Sequence, residues 1–190
     1  MKILMMIALT LLMSMGCAST QQASVKPTGE SLRVLDGQPG EVVLLVFGSP
    51  DCPISNALSP EYERLNEQLR EQGGRFYLVH AREDVTMKKA RAHARDYRLN
   101  MSIVLDPDHE LVKAMDATVT PEAVVLVLEG NGKYRKIYQG QVNNLYASLG
   151  NRRDHATEFW TRDAIDAAIG DGAVEVAYRK PIGCYIEQQR

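Results

Sequence analysis

The sequence predicts a single α/β domain. Three observations carry this. Strand-like and helix-like stretches alternate from Leu32 onward. Val42-Val43-Leu44-Leu45-Val46-Phe47 is continuously apolar, as expected of a central strand covered on both faces. With 190 residues, 45% hydrophobic and 24% charged, the chain is long enough and apolar enough for one sizeable core.

Each element has its own signal. After the Val42–Phe47 strand, a helix is expected from Cys52 to about Gln72. It carries Leu58, Leu65 and Leu69 at helical spacing, is kinked at Pro60 and is stopped by Gly73-Gly74. Phe76 to Val79 reads as a strand. Thr86 caps a helix to about Arg98, with Met87, Ala90, Ala94 and Tyr97 on its inner face. Met101 to Leu105 is a short strand. The Asp106-Pro107-Asp108 turn opens a helix through Met115. Ala123–Leu128 and Tyr134–Tyr138 form a hairpin about Glu129-Gly130-Asn131-Gly132. The last helix takes Thr161 as cap, Ala164, Ile165, Ala168 and Ile169 as buried face, and Gly170 as stop. The stretch 143–160 has little regular pattern and reads as a surface loop, with Trp160 packed against the last helix.

The formal net charge of -2, from 22 basic and 24 acidic residues, gives no reason to expect nucleic acid as a partner. The N-terminus is distinct. Residues 1–17 combine one lysine, an apolar run from Ile3 to Met13 and then small residues, the layout of a secretory signal. The run is too short for a membrane span. Met-Gly-Cys-Ala resembles a lipobox, with Ser14 where leucine is usual. On that reading Cys17 is the acylated first residue of a periplasmic, membrane-anchored lipoprotein, and Ala18 after it favours the outer membrane. Otherwise cleavage after Ala18 releases a soluble exported protein. Residues 18–32 form a polar tether and residues 33–190 the domain. Either route leads to an oxidising compartment, where disulfides persist. Setting Cys17 aside leaves Cys52 and Cys184, the smallest number that can pair.

Three local features, in order, resemble the thioredoxin fold. Cys52 follows the strand aromatic Phe47 by five residues, Pro60 follows Cys52 by eight, and Val119-Thr120-Pro121 directly precedes a strand. More finely, DCPISN, LDPDHELVKAMDATVTPEAVVL, YQGQVNNLYASLGNRR and KPIGCYI are similar to peroxiredoxin-like redoxins related to the alkyl hydroperoxide reductase and thiol-specific antioxidant family. The resemblance runs from about Val42 to Ile186. It implies a thioredoxin-like fold with a central mixed sheet flanked by helices, a thiol chemistry centred on Cys52, and a cis Thr120–Pro121 bond facing the sulfur. Three positions depart from the related patterns. Ser55 replaces the second cysteine of C-x-x-C. Ser49 fills the Thr/Ser place of the peroxiredoxin motif P-x-x-x-T/S-x-x-C, but Leu45 stands at the proline. The acidic residue that assists the second cysteine in thioredoxins would fall at Val46, and so is missing there.

The chemistry needs these residue types. A thiolate is the nucleophile, and a helix N-terminus favours the anion. Cys52 is expected there, with Pro53 pre-setting the first helical φ and Ser55 donating a hydrogen bond to the sulfur. Ser49, Thr120 and Pro121 are expected to position substrate, the strand edge beside the proline being able to pair with an extended peptide. Cys184 has three readings: a resolving cysteine brought over Cys52 by the tail, a permanent disulfide to Cys52 worth roughly 4–5 kcal/mol, or an isolated thiol. The substrate is expected to be a protein disulfide or a hydroperoxide, with an external thiol as electron donor and no cofactor or metal. The alternative is a non-catalytic binding module for a peptide, a protein or, through Cys52, Cys184 and His80, a copper ion. His80, at a strand end, is expected near the pocket. His93, His109 and the loop residue His155 are expected at the surface.

Overall fold

The computed structural model describes residues 22–24, 29–170, 172 and 174–187. The expected signal 1–17, Cys17 and most of the tether lie outside them. Within the expected tether, Gln22–Ser24 forms strand β1, and Ser31–Leu35 forms a short 3-10 helix whose Ser31 and Leu32 are buried. That helix packs with the domain core because Leu32, Val34 and Leu35 supply an apolar stripe.

Next come β2 (Val42–Phe47), α1 (Pro53–Ala57), α2 (Ser59–Glu71), β3 (Arg75–His80), α3 (Met87–Tyr97), β4 (Ser102–Leu105) and α4 (Glu110–Met115). They are followed by β5 (Val119–Thr120), β6 (Glu122–Gly130), β7 (Lys133–Gly140), β8 (Tyr146–Ser148), β9 (Asn151–Arg152), α5 (Trp160–Ile169), β10 (Tyr178–Arg179) and β11 (Cys184–Tyr185). Among the described residues the main sheet runs β1-β7-β6-β2-β3-β4, with β10 beside β7. β2, β3 and β4 are parallel; the β2–β6, β6–β7 and β7–β1 pairs are antiparallel, and β10 runs parallel to β7. The sheet is mixed and flanked by helices.

β2 is the centre of both cores. Its alternate residues face opposite ways. Val42, Leu44 and Val46 pack with Tyr62, Leu65 and Leu69 of α2 and with Ala164, Ile165 and Ala168 of α5. Val43, Leu45 and Phe47 pack with the 3-10 helix, with Leu111 and Met115 of α4 and with Tyr134. Because β2 is rigidly held, its C-terminal end is a stable platform for the turn that follows.

Several expectations need correction. The helix expected from Cys52 is two helices meeting at Leu58, with Pro60 in the first turn of the second. The proline lacks an N–H, so a new first turn accommodates it better than a helix interior. Gly73, at φ 74, ends the segment as anticipated. On α3 the buried face is Ala90, His93 and Ala94, while Tyr97 is exposed. Phe159, not Thr161, precedes α5; Thr161 is fully buried inside the first turn, and Ile169 is exposed. The loop from 143 runs mostly at the surface, as expected, but its start, Asn143 to Leu145, turns inward. Asn144 is buried and its Oδ1 accepts from the Thr157 and Glu158 N–H groups, which organises the approach to α5. Trp160 opens α5 and stacks under the Arg179 guanidinium at 4.3 Å. The hairpin turn is Asn131-Gly132, both at positive φ, which matches the twist of β6 and β7.

Candidate active site

Cys52 sits where the chain leaves β2. It has extended backbone angles, φ -92° and ψ 111°, and is the N-cap of α1, with Pro53 at the first helical position. It is 1% exposed. Its backbone is fixed on both sides: its N–H donates to Ser49 O at 3.1 Å, and its carbonyl accepts from the Asn56 N–H at 3.0 Å. Its Sγ donates to Thr120 O at 3.1 Å. The Thr120–Pro121 bond is cis, as expected. α1 has only five residues, so its dipole is short and offers the sulfur limited help.

Cys184 arrives from the far end of the chain. β11 pairs antiparallel with β5, placing Cys184 opposite Thr120 and Tyr185 opposite Val119. Cys184 Sγ lies 3.0 Å from Cys52 Sγ, with both thiols free. Burial of the Cys184 sulfur, reinforced by the Cys52 sulfur beside it, pushes its pKa up to about 11. It therefore keeps its proton at neutral pH and can donate it towards Cys52. The two sulfurs line a cavity of about 220 Å³ together with Gly48, Ser49, His80 and Thr120.

The structure thus brings Cys52, Cys184, Ser49 and Thr120 to one cavity. Ser49 lines it while its Oγ accepts the Asp51 N–H at 3.4 Å. Ser55 goes elsewhere. It is three residues into the turn, on the interior side, and its Oγ shares a hydrogen with Tyr62 OH at 3.4 Å instead of serving the sulfur. Burial pushes the Tyr62 hydroxyl pKa up, so this pair stays neutral.

His80 does line the cavity. Its Nδ1 is 2.9 Å from Gly48 O, a group that only accepts, so Nδ1 carries the hydrogen. Nε2 is then a lone-pair acceptor, buried and without a partner among the described residues. Burial is the main reason its pKa falls to about 4. His93 and His109, expected at the surface, are both buried. His93 Nε2 donates to Asn56 Oδ1 at 2.8 Å, and the Asn56 amide donates to Pro50 O at 2.8 Å. His109 Nε2 donates to Ala81 O at 2.8 Å. Both histidines are drawn inward by partners distant in sequence.

Two supporting features escaped the sequence reading. Glu122, 1% exposed, accepts from Thr118 N at 2.8 Å and from Gln139 Nε2 at 2.6 Å. It fixes the backbone entering β5. A carboxylate inside an otherwise apolar strand, directly after Thr-Pro, was the available signal. Asp51 is the other. The Lys89 ammonium, hydrogen-bonded at 2.9 Å, holds its carboxyl below the usual range, and Arg82 approaches at 3.1 Å. Among the described residues no group of three or more His, Cys, Asp or Glu side chains is arranged to hold a metal ion.

Cys52 thus stands at a strand-to-helix turn and faces the residue before a cis-proline. The family model for AhpC/TSA matches residues 20–138. The chain belongs to the AhpC/TSA family. Its fold is thioredoxin-like. A hypothetical protein of Sinorhizobium meliloti is similar, at 23% identity and a TM-score of 0.67, with 81% of each chain covered. An uncharacterized conserved protein of Geobacillus kaustophilus gives 19% identity and a TM-score of 0.66, covering 82% of this chain and 86% of that one. A candidate thiol:disulfide interchange protein DsbE of Chlorobium tepidum is similar at 14% identity and a TM-score of 0.51, over 70% of this chain and 82% of that one. No curated protein sequence matches significantly.

Proposed function

We propose that this AhpC/TSA redoxin is a two-cysteine thiol redox protein, with Cys52 as attacking thiolate and Cys184 as resolving thiol. The observation that carries the reading is the 3.0 Å separation of the two sulfurs across 132 residues of sequence. Two free thiols that meet at a shared cavity, one of them on a short peripheral strand, suit reversible pairing better than an inert contact.

The chemistry balances with either substrate. With a hydroperoxide, the Cys52 thiolate attacks the terminal oxygen. The S–O bond forms, the O–O bond breaks, and the alkoxide leaves and takes a proton from water. Cys184 then attacks the Cys52 sulfenic acid. The S–S bond forms, the S–O bond breaks, and hydroxide leaves as water with the Cys184 proton. With a protein disulfide, Cys52 forms a mixed disulfide, and Cys184 displaces the second substrate thiol. In both cases an external thiol donor must reduce the Cys52–Cys184 disulfide. Thr120 and Pro121 frame the approach, and Ser49 lines the cavity.

The test is mass mapping without reductant, before and after one equivalent of oxidant. A Cys52–Cys184 peptide that appears with oxidant and disappears with mild dithiol supports the reading. A Cys52 that forms neither sulfenate nor disulfide overturns it. We also propose export, with lipid attachment at Cys17 and an outer-membrane location. The supporting features are the N-terminal pattern and the fit of a dithiol pair to an oxidising compartment. Membrane-fraction retention that is lost in Cys17→Ser checks this.

A further inference from the structure

β5 is a two-residue strand whose neighbour, among the described residues, is the C-terminal tail alone. An open strand edge beside a reactive sulfur is a place where an extended segment of another protein can add itself by main-chain hydrogen bonds. Here that edge is already filled by the chain itself. The Ile186 N–H donates to Thr118 O at 3.0 Å, and Thr120 Oγ1 donates to Cys184 O at 3.5 Å. Ile186 packs against the Leu111–Met115 core face, and Pro181 and Gly183 are buried. Cys184 therefore stands where the cysteine of a bound partner strand would stand.

Gly183 makes this seat tight. A Cβ at that position would lie 2.1 Å from Thr120 O and 2.9 Å from Pro121 N. Both are backbone atoms that cannot swing aside, and Glu122 pins the same turn from behind through Thr118. Any side chain at 183 would push the tail off β5. The tail's own fixed point is β10, which pairs with β7. Everything after Arg179 is thus tethered close to β5, and its local concentration at that edge exceeds that of any free protein segment.

We propose that the segment Pro181–Ile186 is a built-in substrate strand that determines which partners reach Cys52, and that Gly183 is the residue that seats it. With the tail on β5, Cys52 is reached through the cavity by small oxidants only. An extended protein segment gains access when the tail leaves. The inference rests on Cys52 being the attacking thiolate.

The test uses the full chain carrying Cys184→Ser, which keeps the tail strand but leaves Cys52 as the reporting thiol. It compares this form with two versions in which the tail is unseated, by Gly183→Val or by Ile186→Pro. The second removes the N–H that Thr118 O accepts. Two oxidants are used: hydrogen peroxide, and an extended peptide carrying a mixed disulfide to a chromogenic thiol. Both unseated forms should react with the peptide at least roughly tenfold faster, while the hydrogen peroxide rate stays within about threefold. Hydrogen exchange at residues 184–186 checks that the tail has left. Equal peptide rates in seated and unseated forms overturn this inference alone. Inertness of Cys52 to both oxidants in every form overturns the parent reading, and this one with it.

Discussion

Cys52 and Cys184 meet at 3.0 Å, but they are held in opposite ways. Cys52 is 1% exposed and grows from β2, whose six residues are all buried between two cores. Cys184 is exposed and hangs on a two-residue strand held by few hydrogen bonds. One wall of the site is part of the folding core; the other is a peripheral strap. The difference suits a thiol pair that must both touch and separate. A disulfide needs the sulfurs in contact, while reduction by an external donor needs one of them accessible. On the proposed function, the buried wall would supply the contact and the exposed one the access.

The comparison is broken most directly at the sulfurs. Cys52→Ser should reduce oxidant consumption by about 10³-fold or more, since the nucleophile itself is gone. Cys184→Ser should keep a single rapid reaction of Cys52 and lose disulfide formation. Stopped-flow consumption of oxidant, with and without excess dithiol, separates the two. Equal losses from both variants would mean that the walls are not functionally distinct.

Stability sharpens the same contrast. Leu45→Ala, on the fully buried strand beneath Cys52, should cost about 2–5 kcal/mol. Ile186→Ala, on the strap, removes only partly buried surface and should cost about 1 kcal/mol or less. Urea titration of both variants at neutral pH gives the two values. A strap variant as costly as the core variant would show that the tail belongs to the folding unit.

The two walls also differed in how readable they were. The buried wall rests on local patterns: the apolar run Val42–Phe47, the Cys52-Pro53 turn, and the Thr120-Pro121 step. Each is set by a few neighbouring residues. The fold class followed from these. The meeting of Cys184 with Cys52 was different. It depends on a strand pairing across 64 residues, between Cys184 and Thr120, which no local period encodes. Only the count of two remaining cysteines pointed to it. The misread residues share that cause. His93 looked polar by helical position, but Asn56, 37 residues away, gives its N–H a half-buried partner. Tyr97, the apolar choice, is left outside, tilted against the His93 ring at 4.9 Å. Ser55 looked suited to the sulfur, but its hydroxyl pairs with Tyr62 OH inside the core.

His80 belongs to the buried wall and gives it a pH signature. Its folded pKa is about 4, against an unfolded value near 6.5. Between those values the unfolded chain binds the proton and the folded one does not. Stability is therefore full above about pH 7 and is lost as pH falls towards 4. From pH 7 to 5 the loss should be about 2 kcal/mol from this group. His93, also shifted downward by burial, adds in the same direction. His80→Asn can keep a donor to Gly48 O while removing the titration, so it should flatten the slope. Urea midpoints at pH 5 and pH 7 in both proteins check it; an unchanged slope would mean that another group carries the acid sensitivity.

Tyr185 is the smallest test, and it decides how the strap is held. Its side chain is 84% exposed, although the residue lies in β11 opposite Val119. If the strap were held by side-chain packing, this ring would be poorly placed to contribute. If it is held by main-chain pairing, with Gly183 seated against the Thr120 carbonyl and Ile186 against the core, the ring is dispensable. Tyr185→Ala should then change stability by no more than about 0.5 kcal/mol. It should also leave the rate of Cys52–Cys184 disulfide formation unchanged, as measured by quenched alkylation. A slower rate would place the Tyr185 ring among the groups that keep the strap on β5.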